Sequence, residues 1–442
     1  MQEPGHDEQF GNGGRRLGWS VVARAWLTTL AAAIILVFPS LPVHGAASDS
    51  ARAVVLMTSS FTAQTTRPDT AGGDKAKPKK GKAVGPPLSE DPPVTFTALP
   101  EFGSIEWTSG RLPWVGEGPE QGISGMGMVA HEGRLYVCGG FIPGGDGSDD
   151  KSSYRTSRWT WRYDSATDTW ERLADAPTRR EYVRAIATEN AVYLLGGGCQ
   201  YKGQDPPYRA HGHCVRLDLD RRSPVWETHS RLNVPRTHTA VGRVGGCLVA
   251  AGGNEYDFTQ QGYSHATIRD TTEVFDLERP ESGWRRGAPM PPPGRGWTAS
   301  VATPKRLYVF GGLTWTESNA AVATRETLCY DPAVDRWEKR TPPPLGISGW
   351  EGALYANRYA VLVGGVERRV PSSGRPLVWS DLVWVYDTQD DLWLRIDDPL
   401  PPGAVFNDPG VAVIGESLFV VGAEGPHGSH YDYFLTGRID PH

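Results

Sequence analysis

An all-β repeat fold is predicted for this 442-residue chain. One pattern returns along it: an apolar run ends in two glycines, and after a polar stretch come an aromatic or leucine residue, Asp, and then Trp. The first glycines of successive copies lie 53 to 59 residues apart, at Gly139, Gly196, Gly252, Gly311, Gly364 and, in an imperfect last copy, Gly422. Repeats of about 40 to 50 residues built from short strands are typical of β-propeller blades. The sequence therefore predicts a six-bladed β-propeller over residues 101–442.

Composition and charge agree with that architecture. The chain holds 53 Gly, 36 Pro and 16 Trp, which favours many tight turns with large recurring anchors over long helices. With 45 Lys and Arg against 51 Asp and Glu, no basic surface is available for nucleic acid. We therefore expect no nucleic-acid partner.

Each position of the repeat has a physical reason. In the copy at Arg306–Gly312, "RLYVFGG", the strand is apolar and its glycines allow the backbone to approach a neighbour closely near the central channel. The following strand ends at Asp331, whose carboxylate can accept hydrogen bonds from the next turn. Trp337 on the fourth strand can bury about 150–250 Å² between adjacent blades.

The last copy ends without a Trp strand, and the missing strand is found near the start of the repeat region. Gly103–Trp114, "GSIEWTSGRLPW", reads like the end of a repeat, with Trp107 in the fourth-strand position. Pairing this segment with the last three strands would remove the exposed edges of an open ring. The sequence predicts closure by an N-terminal strand that pairs with three C-terminal strands.

The first 100 residues differ from the repeats. In residues 1–47, arginines precede the apolar segment Ala25–Phe38, and small residues follow it, which predicts a signal peptide and export to the periplasm or the extracellular space. The alternative is an uncleaved N-terminal membrane anchor, the only case in which membrane contact is expected. Residues 48–100 are rich in Pro, Lys and Gly, and we expect a disordered linker.

The five cysteines divide into two groups. Cys199 and Cys214 flank one long hairpin loop, and in an exported protein they are expected to form a disulfide. Cys138, Cys247 and Cys329 lie inside apolar strands and are expected to be small buried side chains.

Binding groups are concentrated on one face. The loops from second to third strands and the turns between blades share a face and are rich in polar and aromatic residues, so we expect a glycan or a protein to bind there. Arg180, Arg236 and Arg295 stand at the same point of three successive copies, just before the innermost strand. The same register holds further candidate ligand-binding residues: Glu181, His238, Trp297, Trp350, Glu351, Asn407 and Asp408.

Three alternatives remain open at this stage. The loops of this face can be plain solvated surface, and each arginine can cap strand carbonyls or pair with a neighbouring acid instead of binding a ligand. The segment His211–Cys214, "HGHC", could contribute to a metal site, but one such motif in a loop is weak evidence and no metal is predicted. The glycine pairs end strands and do not open helices, so no phosphate-cradling loop and no cofactor are predicted.

The recurring glycines, aromatic–Asp pairs and tryptophans resemble the kelch family over about Gly103–His442. The chain further resembles exported bacterial kelch proteins related to sialic-acid mutarotases (N-acetylneuraminate epimerases). That resemblance implies a functional pair, a Glu just after the second-strand glycines and an Arg before the third strand. "GGNEYDF" and "ATIRDTTEVFD" place Glu255 and Arg269 there, although the loops are longer here and "NE" replaces the "GE" of that family.

Two functions follow from these patterns. The leading hypothesis is a non-catalytic recognition module that binds a glycan or a protein on the loop-rich face. The alternative is a sugar mutarotase or epimerase of the sialic-acid type. In that reaction one group moves a proton on and off a hydroxyl while an arginine holds a carboxylate, so the sequence leaves open whether the protein is an enzyme.

Overall fold

The computed structural model describes most of the repeat region. The described residues begin at residue 96. The predicted signal segment, residues 1–47, and almost all of the predicted linker, residues 48–100, therefore lie outside them. Within the described part there is no helix with the length and apolarity needed to cross a membrane. The structure describes residues 96–116, 121–145, 155–201, 208–256, 266–315, 321–367, 378–401 and 403–442.

The regular structure of the described residues is β apart from short 3-10 turns. Its main strands form six antiparallel blades of four strands each, and a parallel strand pair joins the last two blades into one nine-stranded sheet. The first strand is β1 (Glu101–Arg111). Blade 1 contains β2 (Gly127–His131), β3 (Arg134–Cys138), β4 (Thr160–Asp164) and β5 (Thr169–Arg172). Blade 2 contains β6 (Glu181–Ala187), β7 (Ala191–Gln200), the short β8 (Tyr208–Ala210), β9 (His213–Asp218) and β10 (Trp226–Arg231). Blade 3 contains β11 (Ala240–Val244), β12 (Cys247–Ala251), the hairpin β13 (Asn254–Tyr256) and β14 (Ala266–Ile268), β15 (Thr272–Asp276) and β16 (Trp284–Gly287).

The second half repeats this plan. Blade 4 contains β17 (Ala299–Ala302), β18 (Leu307–Phe310), the hairpin β19 (Leu313–Trp315) and β20 (Ala321–Ala323), β21 (Thr327–Asp331) and β22 (Arg336–Arg340). Blade 5 contains β23 (Ile347–Tyr355), β24 (Tyr359–Glu367), the short β25 (Val378–Trp379), β26 (Val383–Asp387) and β27 (Leu392–Ile396). Blade 6 contains β28 (Gly410–Ile414), β29 (Ser417–Val421), β30 (Tyr433–Pro441) and, as its fourth strand, β1.

The innermost strands form a closed ring. β2, β6, β11, β17, β23 and β28 each contact the next in this order, and β28 contacts β2. β1 pairs antiparallel with β30 from Gly103 opposite Pro441 to Arg111 opposite Tyr433. Blade 6 therefore joins the two ends of the described chain, as in a propeller whose ring has no open edge.

Tryptophans link blades 2, 3 and 4 to the blade before each of them, as the repeat pattern predicted. The indole N–H of Trp226 donates to Thr160 Oγ1 of blade 1 at 2.9 Å, and that of Trp284 donates to Ser230 Oγ of blade 2 at 2.9 Å. Trp337 continues the series with a 3.1 Å bond to a threonine of blade 3. A buried indole needs a hydrogen-bond acceptor, and the preceding blade supplies it.

Glycine pairs bring neighbouring blades into backbone contact. Gly252 has a φ of 63°, and a Cβ at this position would lie 2.5 Å from Arg295 O of the next blade. The N–H of Gly253 donates to that same carbonyl at 2.8 Å. Only a residue without a side chain allows this approach, which explains why the pair recurs at five of the six second-strand ends and why the sixth keeps its first glycine, Gly422.

The three arginines in register are interior clamps. The Arg236 side chain is fully buried; its Nη1 donates to Gly252 O at 2.8 Å, and its Nη2 donates to Glu273 Oε1 at 2.6 Å. Arg180 donates to two backbone carbonyls of blade 2, and Arg295 pairs with Glu326. This geometry favours the alternative in which they cap carbonyls and pair with acids. Their binding of a ligand stays a prediction.

The predicted disulfide between Cys199 and Cys214 is wrong, because both cysteines are free and buried. Leu194 of β7 lies opposite Val215 of β9, so the next step of the ladder sets Cys214 opposite Leu195. Cys199 lies four residues farther along β7 and faces β8 instead. A strand advances about 3.3 Å per residue. The two Cα atoms are therefore too far apart for a disulfide, which needs about 4.4–6.8 Å.

The closing strand can be tested by truncation. Removal of all residues up to Pro113 deletes β1, so the apolar side chains of Phe102 and Ile105 leave the core they share with β30. We expect the thermal midpoint to fall relative to a truncation that ends at Asp91. Equal midpoints for the two truncations would show that β1 does not hold the ring closed.

The arginine clamps give a second prediction. Arg236→Ala leaves the buried Glu273 carboxylate without its cation, and loss of one partner of a buried pair costs about 3 kcal/mol. Arg221→Ala is the matched control, because Arg221 is half-exposed in its pairs with Asp218 and Glu227. Urea unfolding measures both variants, and we expect a much larger loss for Arg236→Ala. Similar losses would contradict the clamp.

Candidate functional site

One mouth of the central channel is encircled by a ring of backbone hydrogen bonds. Six residues, one at or just before the start of the innermost strand of each blade, have left-handed φ values between 48° and 70°. Each N–H donates to the carbonyl of the equivalent residue in the preceding blade over 2.6–3.2 Å, and the sixth bond returns to the first blade. We call this the mouth ring; its members are Gly125, Tyr182, His238, Trp297, Gly349 and Asp408.

Three aromatic side chains stack on one another along the mouth ring. The His238 ring lies 4.0 Å from that of Tyr182 and 4.2 Å from that of Trp297, between centroids. His238 is buried, whereas Tyr182 and Trp297 are half-buried. A left-handed conformation costs a non-glycine residue about 1–2 kcal/mol. Gly125 and Gly349 avoid that cost at the equivalent positions, so the stacked side chains offset a backbone penalty.

Two pairs of side chains cross the channel. His238 Nε2 of blade 3 lies 4.0 Å from Asp408 Oδ2 of blade 6, the opposite blade. Two residues beyond the mouth ring, Arg184 of blade 2 forms an ion pair with Glu351 of blade 5, which is also opposite. Burial, and secondly the nearby Arg184, hold the pKa of His238 well below its usual value. His238 is therefore neutral at physiological pH.

Polar side chains surround the mouth ring on the loop-rich face. Glu181 is buried and accepts a 2.8 Å hydrogen bond from Thr156 Oγ1. Burial raises the pKa of Glu181 to about 8, and the charge of Glu424 acts in the same direction. Asn407 Nδ2 donates to Asp408 Oδ2 at 3.0 Å and to Glu424 Oε2 at 3.2 Å. This rim carries acidic and amide groups suited to hydrogen bonds with hydroxyls.

Trp350 is a core residue in this structure. Its side chain is fully buried, its indole N–H donates to Phe310 O at 3.0 Å, and its ring stacks on that of Trp393. Arg180, Arg236 and Arg295 are also fully buried. Of the predicted channel-mouth residues, the structure brings Glu181, His238, Trp297, Asn407 and Asp408 together at the mouth, and it places Glu351 just inside the channel.

Glu255 and Arg269 are brought into contact. They lie on the hairpin of β13 and β14, where Glu255 is opposite Thr267, and Arg269 Nη2 donates to Glu255 Oε2 at 2.5 Å. Both side chains are partly exposed. A carboxylate and a guanidinium group are thus available together next to the loop-rich face.

Sequence reasoning missed Tyr182 and Arg184. Both lie in "EYVRAIA" of β6, where a large ring and a charge enter an innermost strand whose residues after Glu181 are otherwise apolar. A charged residue in such a strand is the signal that could have identified Arg184.

No metal centre is formed by the described residues, among which no three His, Cys, Asp or Glu side chains are grouped to hold an ion. Burial lowers the pKa of His211 to about 3, and this ring bonds Arg179 O at 3.0 Å. His213 instead contacts Arg231. The two histidines of the "HGHC" segment therefore have partners within the protein.

Comparisons with known proteins connect this architecture to one family. The kelch motif model matches residues 123–177. The kelch-like protein terF of Aspergillus terreus is 25% identical over 53% of this chain and 48% of its own length. N-acetylneuraminate epimerase 1 of Escherichia coli is 30% identical over 22% of this chain and 26% of its own. The matched regions thus span less than half of either relative.

A solved structure gives the same fold over a longer range. The structure of YjhT aligns with a TM-score of 0.56 at 14% identity, covering 73% of this chain and 96% of that one. At such low identity the match concerns the fold alone. The chain thus contains a kelch motif, has a β-propeller fold, and is similar in sequence to kelch-like proteins and to N-acetylneuraminate epimerases.

Proposed function

We propose that the protein is an exported recognition module that binds a glycan or a protein segment on its loop-rich face. The closed mouth ring carries this proposal. Because the buried side chains of His238 and Asp408 approach each other to 4.0 Å across the channel at this ring, a ligand on this face would rest on a floor and would not enter a tunnel. The half-buried rings of Tyr182 and Trp297 belong to that floor.

The chemistry of the floor suits a sugar or a polar loop. An aromatic ring offers an apolar face for stacking, and surrounding polar groups fix orientation by hydrogen bonds. Here Asn407 and Glu424 supply such groups beside the aromatic rings, and the Glu255–Arg269 pair adds a carboxylate and a guanidinium. The backbone penalty at Tyr182 and Trp297 supports the same proposal, since left-handed non-glycine residues are concentrated at functional sites.

Export is part of the proposal and rests on the sequence of residues 1–47 alone. The cysteines give it no support, because all five are free in this structure. A membrane-anchored form with the propeller on the outer side is the alternative, and size comparison of the secreted and cell-associated protein separates the two.

Binding should depend on the aromatic floor. In glycan-array and peptide-array screens of the full chain, we expect a specific hit whose affinity falls at least tenfold in Trp297→Ala, because the stacking surface is removed. Arg243→Ala is the control, since Arg243 lines the channel at its other mouth.

Thermal melting first establishes that each variant is folded. Undiminished binding by a folded Tyr182→Ala/Trp297→Ala double variant, or the absence of any hit in both screens, would contradict recognition at this floor.

A mutarotase of the sialic-acid type is the second candidate, and the contact between Glu255 and Arg269 supports it. Exchange of sugar anomers needs a proton transferred to and from a hydroxyl, which a carboxylate can do. A guanidinium can bind the carboxylate of an acidic sugar through two parallel hydrogen bonds. In the free protein the two groups pair with each other, so an acidic substrate would have to replace Glu255 as the partner of Arg269.

Anomer-exchange NMR with N-acetylneuraminate tests this candidate. If the chain is a mutarotase, it accelerates exchange, and Glu255→Gln reduces the rate at least a hundredfold because the carboxylate can no longer accept a proton. Asp270→Asn, a change of the same chemistry beside Arg269, is the control and should retain the rate. Exchange at the uncatalysed rate, or an active Glu255→Gln variant, would exclude the assignment.

A further inference from the structure

Among the described residues, blade 2 holds a buried arginine without the carboxylate partner that the next two blades supply. In blade 3, Arg236 pairs with Glu273 at 2.6 Å, and in blade 4 Arg295 pairs with Glu326. Arg180 stands at the same point of blade 2 and is fully buried, yet its hydrogen-bond acceptors are two backbone carbonyls and a threonine hydroxyl, all of them neutral. A buried cation without a counter-ion is costly.

A histidine occupies the position at which blade 4 has its glutamate. Continued to the first glycine of each pair, the ladder between the second and third strands sets Gly311 opposite Glu326 in blade 4 and Gly196 opposite His213 in blade 2. Glu326 uses one carboxylate oxygen for the buried arginine of its blade and the other for Lys339 Nζ, at 2.6 Å. A neutral imidazole cannot replace that carboxylate. Blade 2 therefore has the cation of this arrangement without its anion.

A second arginine stands beside His213 at the protein surface. Arg231 lies directly opposite His213 in the pairing of β9 and β10, and its Nη1 lies 3.1 Å from His213 Nε2. The Arg231 side chain is exposed, and no acid in the described part of the chain forms an ion pair with it. A guanidinium group has five N–H donors, so most of those on Arg231 remain available to a ligand.

The two guanidinium groups make the electrostatic potential at His213 positive. Burial lowers the pKa of His213, and the charges of Arg231 and Arg180 lower it further. Burial also lowers the pKa of Arg180 to about 10, so this side chain is still charged near neutral pH. Two positive charges thus stand around a neutral imidazole at the loop-rich end of blade 2.

We propose that Arg231 and His213 bind a carboxylate group of an acidic ligand, at the place that Glu326 fills in blade 4. The carboxylate accepts hydrogen bonds from the exposed guanidinium group and from the imidazole, which takes up a proton as the anion binds. Arg180 is buried, so it attracts the anion through its charge and not by contact. The site lies on β9 and β10 and does not depend on the aromatic floor.

Titration of the full chain with glutarate, followed by NMR of labelled histidine side chains, tests the site. We expect saturable binding that raises the pKa of His213, because a bound anion stabilises the imidazolium. Glutaramide has a similar shape without the charge and should bind at least tenfold more weakly. Inorganic phosphate that binds as tightly as glutarate would contradict the assignment to a carboxylate. Glucuronate and N-acetylglutamate amide then compare a sugar and a peptide as the source of the group, and the tighter of the two identifies it.

Two variants separate this site from a merely structural role. Arg231→Gln removes the accessible cation and should weaken glutarate binding at least tenfold, whereas Arg221→Gln, a half-exposed change in the same blade, should leave it unchanged. His213→Glu supplies a built-in carboxylate beside Arg180, so we expect its thermal midpoint to rise and its glutarate binding to be lost.

Three results would each overturn the proposal. They are the absence of saturable binding at millimolar glutarate, unchanged affinity in Arg231→Gln, and a His213→Glu variant that melts at a lower temperature or still binds glutarate.

Discussion

The mouth ring is the constraint on which the rest of the molecule depends. Its six bonds are made between blades by backbone atoms alone, so they fix the radius of the channel whatever side chains the turns carry. Every bond is donated by a left-handed residue, whose backbone turns the N–H toward the preceding blade at the start of the innermost strand. Glycine meets the requirement at lowest cost. Where Tyr182, His238 and Trp297 occupy the ring instead, their mutual stacking offsets the penalty and forms the floor of the loop-rich face.

A second layer of contacts transmits this geometry outward. Glycine pairs at the ends of the second strands allow the backbone of the next blade to approach closely. Buried arginines donate hydrogen bonds to the carbonyls of those same strand ends. Arg236 exemplifies the arrangement, since it joins Gly252 O to the buried Glu273 carboxylate. Tryptophans on the fourth strands then connect adjacent blades farther from the axis. The repeat is thus a set of blade-to-blade attachments at three radii, which is why its residues recur together.

The sequence predicted these attachments well and the site less well. Recurrent Gly, Asp and Trp report backbone requirements that are the same in every blade, so spacing alone reveals them. Repeat spacing does not show in which direction a side chain points. Arg180, Arg236 and Arg295 are in register with the mouth, yet their side chains bind carboxylates and carbonyls inside their own blades. For Cys199 and Cys214, proximity in the loop misled, because the ladder places them at different levels of the strand.

Contacts across the channel axis could not be predicted from the sequence, for a different reason. Arg184 and Glu351 meet only because blades 2 and 5 are opposite in a ring of six, so their pairing depends on the blade number and the closed ring together. The same pair gives the two faces of the channel different chemistry. It spans the channel two residues beyond the mouth ring, and Arg184 adds to the effect of burial in lowering the pKa of His238. The His238 imidazole lies 4.0 Å from Asp408 on that side. Arg184 therefore couples the interior of the channel to the electrostatics of the loop-rich face.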